Sequence, residues 1–231
     1  MSYVHFEIIK KDDRLFFYDG EQYVLFDSGF ITDPFGKNSA SVSGKIGPFK
    51  VKTMGKTFFS NFINLTIGEA AVTAVLNPMD GYNCLLKGNT LTISDKEMAV
   101  ENGKYFFDFT HPFLPLIEGS IGGIKCSFFF DSGARITMFG ERADAAEKVR
   151  TYTEWMAMKH SYANLDVYKV ELGFPNGFEY KGEGALVTDA AYLMHAKMLG
   201  IRAMLGIDIF NHYDMAIITK GAKRGIMLLE K

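Results

Sequence analysis

The sequence predicts an all-β chain made of two related lobes, with a helix inserted in the second. Three observations predict it. Short apolar runs rich in aromatic and β-branched residues alternate with turns marked by Gly, Asp and Pro, and the 231 residues include 21 Phe and 11 Tyr. Asp-Ser-Gly occurs twice, each time at the end of an apolar run, in Tyr23-Val24-Leu25-Phe26-Asp27-Ser28-Gly29 and in Phe128-Phe129-Phe130-Asp131-Ser132-Gly133. The displacement that lays Asp27 on Asp131 also lays Phe26 on Phe130, Phe35 on Phe139 and Gly36 on Gly140.

The elements follow in order. Residues 3–10 and 14–18 read as a hairpin around Asp12-Asp13, and residues 22–27 as the strand that ends at the first Asp. A Gly-tipped hairpin is expected where Ser39–Ser43 and Phe49–Thr53 flank Gly44-Lys45-Ile46-Gly47-Pro48. Phe62–Ile67 and Ala70–Leu76 form another around Gly68-Glu69. Leu85–Ile93 is taken as the segment that closes the first lobe, matching Met204–Phe210 in the second. A connector with a Phe-rich strand spans 94–117, which puts the lobes at 1–110 and 111–231. In the second lobe Ala145, Val149, Tyr152 and Met156 fall at helical spacing, so a helix is expected over 141–158. Leu165–Phe174 and Phe178–Val187, split by Pro175-Asn176-Gly177, predict a hairpin. Residues 189–199 fit helix and strand equally.

Composition narrows the function. Hydrophobic residues make up 48% of the chain, charged residues 23%, and the formal net charge is −2. No basic block suggests nucleic acid and no charge run suggests a disordered tail. No apolar run approaches the ~20 residues of a membrane-spanning helix, so no membrane partner is expected. The N-terminus lacks a basic start followed by an apolar stretch, which reads as cytoplasmic, although a chain stripped of an export signal would read the same. Cys84 and Cys126 lack metal-ligand spacing and read as free thiols, with a disulfide as the second reading. The five histidines are scattered, forming neither a metal site nor a triad, and no Gly-x-Ser-x-Gly surrounds either serine of the repeat.

One Asp-Ser-Gly alone is a common turn. Two of them, each delivering a carboxylate from an apolar strand, can bring two acids together. Carboxyls that share one proton can activate water without a metal or a covalent intermediate.

At these residues the chain resembles the retropepsin-like aspartic proteases, the superfamily of retroviral proteases and pepsins. The likeness rests on the strand–Asp-Ser-Gly pattern, Gly133-Ala134, the Gly44–Gly47 hairpin and Met204-Leu205-Gly206-Ile207-Asp208-Ile209-Phe210, and it covers roughly residues 20–93 and 119–218. The resemblance implies a bilobal closed β-barrel fold and a single-chain version of what retroviruses assemble as a homodimer, hence a monomer. It implies an aspartic endopeptidase without cofactor or metal, acting on a peptide or protein. Asp27 and Asp131 would be the catalytic pair, and Ser28, Gly29, Ser132 and Gly133 would support the two loops. Gly44, Lys45, Ile46 and Gly47 would form a flap over the substrate, with Phe30 and Ala134 also among the substrate-contacting residues. Two residues depart from the pattern: Phe30 stands where a small residue is usual, and Lys87 where the closing Gly of the first lobe is expected. These departures motivate an alternative, an inactive peptide-binding or scaffold protein on the same fold. A third reading, an unrelated all-β binding domain, requires the repeat to be accidental.

Overall fold

A computed structural model describes residues 3–30, 41–46, 49–54, 65–72, 74–140, 147–156 and 161–231. Strands β1 (Tyr3–Lys11) and β2 (Arg14–Tyr18) form the first hairpin. Its turn residues Asp12 and Asp13 have φ of 49° and 57°, a left-handed region that short polar side chains tolerate. Strand β3 (Tyr23–Phe26) pairs with β2 and runs into Asp27. Strands β4 (Ser41–Ile46) and β5 (Phe49–Met54) pair as the expected hairpin, of which Gly47 and Pro48 lie outside the described residues. Ile46 is fully buried in the main core, and β5 lies alongside β8 (Ala74–Leu76). Between them β6 (Thr66–Ile67) and β7 (Ala70–Ala71) turn about Gly68-Glu69; residues 62–64 of that predicted hairpin are outside the described set. Strands β9 (Asn83–Lys87) and β10 (Thr90–Ser94) follow.

The second half contains a closed barrel. After β11 (Gly103–Asp108) come β12 (Leu116–Ile121), β13 (Ile124–Phe130), β14 (Met138–Phe139), β15 (Lys148–Met156), β16 (Ser161–Gly173) and β17 (Glu179–Leu186). Helix α1 (Ala190–Leu199) leads into β18 (Ile201–Leu205), then β19 (Asp214–Ile218) and β20 (Gly225–Leu229). Six of these strands run β12-β13-β18-β14-β17-β16, and β16 pairs back onto β12 through Ser120–Gly173 and Ile121–Leu172. Strand alternation separates two apolar faces. Phe128, Phe139, Val170, Ala203 and Leu205 face the main core, whereas Met138, Val167 and Ala185 meet Tyr192 and Ala196 of α1 on the other side. The chain is mostly β with a closed six-strand barrel.

The helix expected over 141–158 is not there: residues 148–156 are strand β15, which pairs along β16, and 141–146 and 157–158 lie outside the described residues. The β-branched and aromatic run Val149-Arg150-Thr151-Tyr152-Thr153 favours a strand. Its period of two is masked in the sequence because one inward position holds a charge, Glu154, buried at 2% exposure. The second-half helix is instead α1, in the segment that fitted both patterns. Asp189 caps it, accepting hydrogen bonds from the N–H groups of Ala191 and Tyr192, each at 3.0 Å.

A second sheet joins the two halves. Its order is β11-β20-β19-β9-β10-β1-β2-β3-β8. The first six strands of this order read symmetrically about the β19–β9 pair: β9–β10–β1 on one side matches β19–β20–β11 on the other. The pair itself is centred on Ala216 opposite Leu85, with Met215 opposite Leu86 and Ile217 opposite Cys84, so exchanging the strands preserves the register. Strands from beyond residue 213 thus complete a sheet begun by the first ninety residues. Cys84, buried here, and Cys126, half-buried on β13, are free thiols.

Candidate active site

Each Asp-Ser-Gly is delivered by the same three-strand device. Val24, Leu25 and Phe26 pair in parallel with Ala74, Val75 and Leu76; Phe128, Phe129 and Phe130 pair in parallel with Ala203, Met204 and Leu205. The N–H of Asp27 then donates to the Leu76 carbonyl at 3.0 Å, and that of Asp131 to the Leu205 carbonyl at 2.9 Å. Burying Phe26 and Phe130 drives each strand into the core, which obliges the following Asp to turn toward the other half.

This equivalence corrects the sequence match between Leu85–Ile93 and Met204–Phe210. Leu76, not Leu85 or Leu86, is the counterpart of Leu205, so Lys87 occupies no closing position; it lies exposed at the end of β9. The residue facing Gly206 in the repeat is Asn77. Its role follows from the next residue. In the second half the N–H of Ile207 donates to the Ala134 carbonyl at 3.0 Å. Its first-half counterpart, Pro78, has no N–H, and the Asn77 Nδ2 instead donates to the Phe30 carbonyl at 2.8 Å. The Phe30 ring, expected at the substrate cleft, packs against Phe16, Leu25, Val72 and Val75, and Ala134 is buried.

The two loops interlock. The Ser28 N–H donates to Ser132 Oγ at 2.9 Å and the Ser132 N–H to Ser28 Oγ at 3.0 Å. Ser28 Oγ donates to the Phe130 carbonyl at 3.1 Å and Ser132 Oγ to the Phe26 carbonyl at 3.4 Å. Gly29 and Gly133 are required by close approach rather than by a left-handed backbone, since neither has a positive φ. A Cβ on Gly29 would stand 2.2 Å from the Asp131 carboxyl carbon, and one on Gly133 would stand 2.4 Å from that of Asp27. Each carboxylate therefore lies on the opposite loop's glycine.

The carboxyls of Asp27 and Asp131 lie close enough to perturb each other's ionisation. Asp27 is buried and Asp131 is partly exposed. Burial raises the pKa of Asp27, and the neighbouring Asp131 charge and hydrogen bond raise it further, well above the usual carboxylate range. Burial also raises that of Asp131, but the Asp27 hydrogen bond and the N–H groups of Gly133 and Ala134, at 2.8 and 3.1 Å, pull it back. Asp27 receives the Gly29 N–H at 2.8 Å. Like charges this close do not both ionise. The pair therefore holds one proton between its two carboxyls, and the stronger upward push falls on Asp27. Such a pair can hold and orient a water, accept its proton on one carboxylate and donate a hydrogen bond from the other.

Sequence reasoning missed a buried ionic cluster next to the Asp131 loop, made by Arg14, Glu154, Arg135 and Tyr152. Reading 148–156 as a strand would have exposed it, because Glu154 then falls on an inward position. Among the described residues no group of three or more His, Cys, Asp or Glu could hold a metal ion.

No family model matches the chain, and no curated protein does. Among solved structures it is similar to a retropepsin-like aspartic protease from Rickettsia conorii, at 13% identity over 54% of this chain and 89% of that one, with a TM-score of 0.33.

Proposed function

We propose that the chain is a two-lobed aspartic endopeptidase in which Asp27 and Asp131 are the catalytic pair. The observation that carries this reading is the reciprocal placement of the two carboxyls, each seated against the other loop's glycine. The lobes are the halves 1–110 and 111–231, joined by the shared sheet. Both acids come from one chain, so a monomer suffices.

In the reaction, a water lies between the carboxyls. Asp131 accepts one of its protons as its oxygen attacks the scissile carbonyl carbon, and Asp27 gives its proton to the carbonyl oxygen. The tetrahedral diol then collapses: the amide nitrogen takes the proton from Asp131, the C–N bond breaks, and the proton of one diol hydroxyl returns to Asp27. Acid–base transfer of this kind contributes about 10²–10⁴-fold in rate. The β4–β5 hairpin is the flap, and an extended peptide or protein segment would bind beneath it through main-chain hydrogen bonds. The packing of Phe30 into its own cluster and the placement of Lys87 on β9 support this reading over an inactive scaffold.

The test is hydrolysis of a diverse peptide library from pH 3 to 8 by the wild type, Asp27→Asn and Asp131→Asn. Cleavage by the wild type alone supports the assignment; cleavage that persists in both variants removes it.

A further inference from the structure

Arg14 stands at the start of β2 in the first half, yet its side chain reaches the Asp131 loop. Its Nε donates to the Gly133 carbonyl at 3.1 Å and its Nη2 to Glu154 Oε1 at 2.8 Å. Glu154, on β15, also accepts from Arg135 Nε at 3.0 Å and from the Tyr152 hydroxyl at 2.6 Å. Arg135, two residues past Gly133, donates in addition to the Thr153 carbonyl at 3.1 Å, and its guanidinium lies 4.9 Å from the Tyr152 ring centroid. One buried cluster thus ties together β2, the Asp131 loop and β15.

Two features separate it from an ordinary stabilising ion pair. A buried salt bridge gains little over well-packed apolar residues, so stability alone does not explain it. Among the described residues its Arg14 arm also has no counterpart in the other half: matching β2–β3 to β12–β13 by register places Leu114 where Arg14 stands. Arg14 and Arg135 both meet the Glu154 carboxylate beside the Asp131 loop, and the position equivalent to Arg14 in the other half holds an apolar residue.

We propose that Arg14, held by the buried carboxylate of Glu154, is the positioning residue of the acid pair. It fixes the Asp131 loop through the Gly133 carbonyl and supplies positive charge on that side. The proposal rests on the reading of Asp27 and Asp131 as a catalytic pair. The charge of Arg14 lowers the pKa of both carboxyls, as expected for a cation at the pair. The other groups in play are Tyr192 from α1, which feels the Asp131 charge, and Asp12, which acts on Arg135. Tyr192 donates to the Met138 carbonyl at 3.2 Å.

The experiment compares pH–rate profiles of the wild type with Arg14→Met, Arg14→Lys and Glu154→Gln, each checked for folding by thermal unfolding. Arg14→Met should move the acidic limb up by about one pH unit, because the proton acceptor loses its cation. It should also lower kcat about tenfold with KM nearly unchanged. Arg14→Lys keeps the charge and should leave the limb in place while still lowering kcat, since one ammonium cannot reproduce the fork. Glu154→Gln removes the neutralising carboxylate and should move the limb down. An unmoved limb in Arg14→Met, or limbs that move the same way in Arg14→Met and Glu154→Gln, would overturn the proposal. If Arg14→Met does not fold, Glu154→Gln decides: an unmoved or raised limb overturns it. If the wild type cleaves nothing, the protease reading fails by itself. The same opposed shifts are then sought in the ¹³C carboxyl titration of Asp131, where their absence overturns the positioning role independently.

Discussion

The N–H of Ser28 and the N–H of Ser132 each end on the other residue's hydroxyl oxygen, at 2.9 and 3.0 Å. Each serine therefore supplies what the other loop lacks, and neither loop's buried polar groups are satisfied alone. Ser132→Ala removes the acceptor of the Ser28 N–H and the donor to the Phe26 carbonyl. Leaving such groups unpaired costs about 1–3 kcal/mol. In a chain of this size that lowers Tm by about 2–10 °C. Ser28→Ala should cost a similar amount, and the double variant less than the sum, because either single change already breaks the reciprocal unit. Thermal unfolding of the four proteins measures this, and strict additivity would contradict it.

The burial that tunes the acid pair costs stability. Asp27 has a pKa raised in the folded state, so the fold holds a proton that the unfolded chain releases. Stability linked to this group is fully present below the unfolded carboxylate pKa, about 3.9, and is lost as pH rises toward the folded value. Asp27→Asn removes that loss. We expect the variant to melt at a higher temperature than the wild type at pH 7, with little difference at pH 3.5, while any peptidase activity disappears. Paired melting curves at the two pH values measure it, and a wild type that is the more stable at pH 7 would contradict it.

Gly133→Ala should be among the most damaging small changes. Its Cβ would meet Asp27 Oδ2 at 2.3 Å, and that carboxyl is held by Asp131 and by the Gly29 N–H. The clash cannot be relieved by rotating a free side chain. Expected outcomes are a loss of about 1–3 kcal/mol, the scale of overpacking a tight core, and at least a hundredfold fall in any peptide hydrolysis, since the acids must move apart. Gly88→Ala has open space around its Cβ but a φ of 57°, so it should lower stability by only about 1 kcal/mol and leave hydrolysis intact.

The acid pair and its loops were legible in the sequence because their signal is local: an apolar strand, then Asp-Ser-Gly, twice. The β1–β2 hairpin and the β16–β17 hairpin were legible for the same reason, through Asp12-Asp13 and Pro175-Asn176-Gly177. What failed depended on distant partners. Glu154 turns inward only because Arg14 and Arg135 meet it there, and its charge broke the alternation that would have marked β15 as a strand. Leu76 was passed over in favour of Leu85 because Asn77-Pro78 does not look like Gly206-Ile207. The likeness appears only when the Asn77 side chain is seen doing the work of a missing backbone N–H.

Asp208 offers a pH test away from the acid pair. Its carboxyl accepts from the Tyr180 hydroxyl at 3.0 Å and from Thr137 Oγ1 at 3.3 Å, and the same Thr137 oxygen accepts the Gly206 N–H at 3.2 Å. Burial nevertheless pushes its pKa up to about 6, with the two hydroxyls pulling against the shift. The folded value thus exceeds the unfolded one, so the stability linked to Asp208 is complete below about pH 4 and is lost as pH climbs through 6. Asp208→Asn cannot ionise and keeps one acceptor for the hydroxyls. Relative to the wild type it should be equal or slightly weaker at pH 4 and stronger at pH 7, by at most about 3 kcal/mol. Denaturant unfolding at the two pH values measures that crossing. A difference that stays constant with pH would mean that Asp208 titrates alike in the folded and unfolded chains, and that its two hydroxyl partners offset the whole cost of its burial.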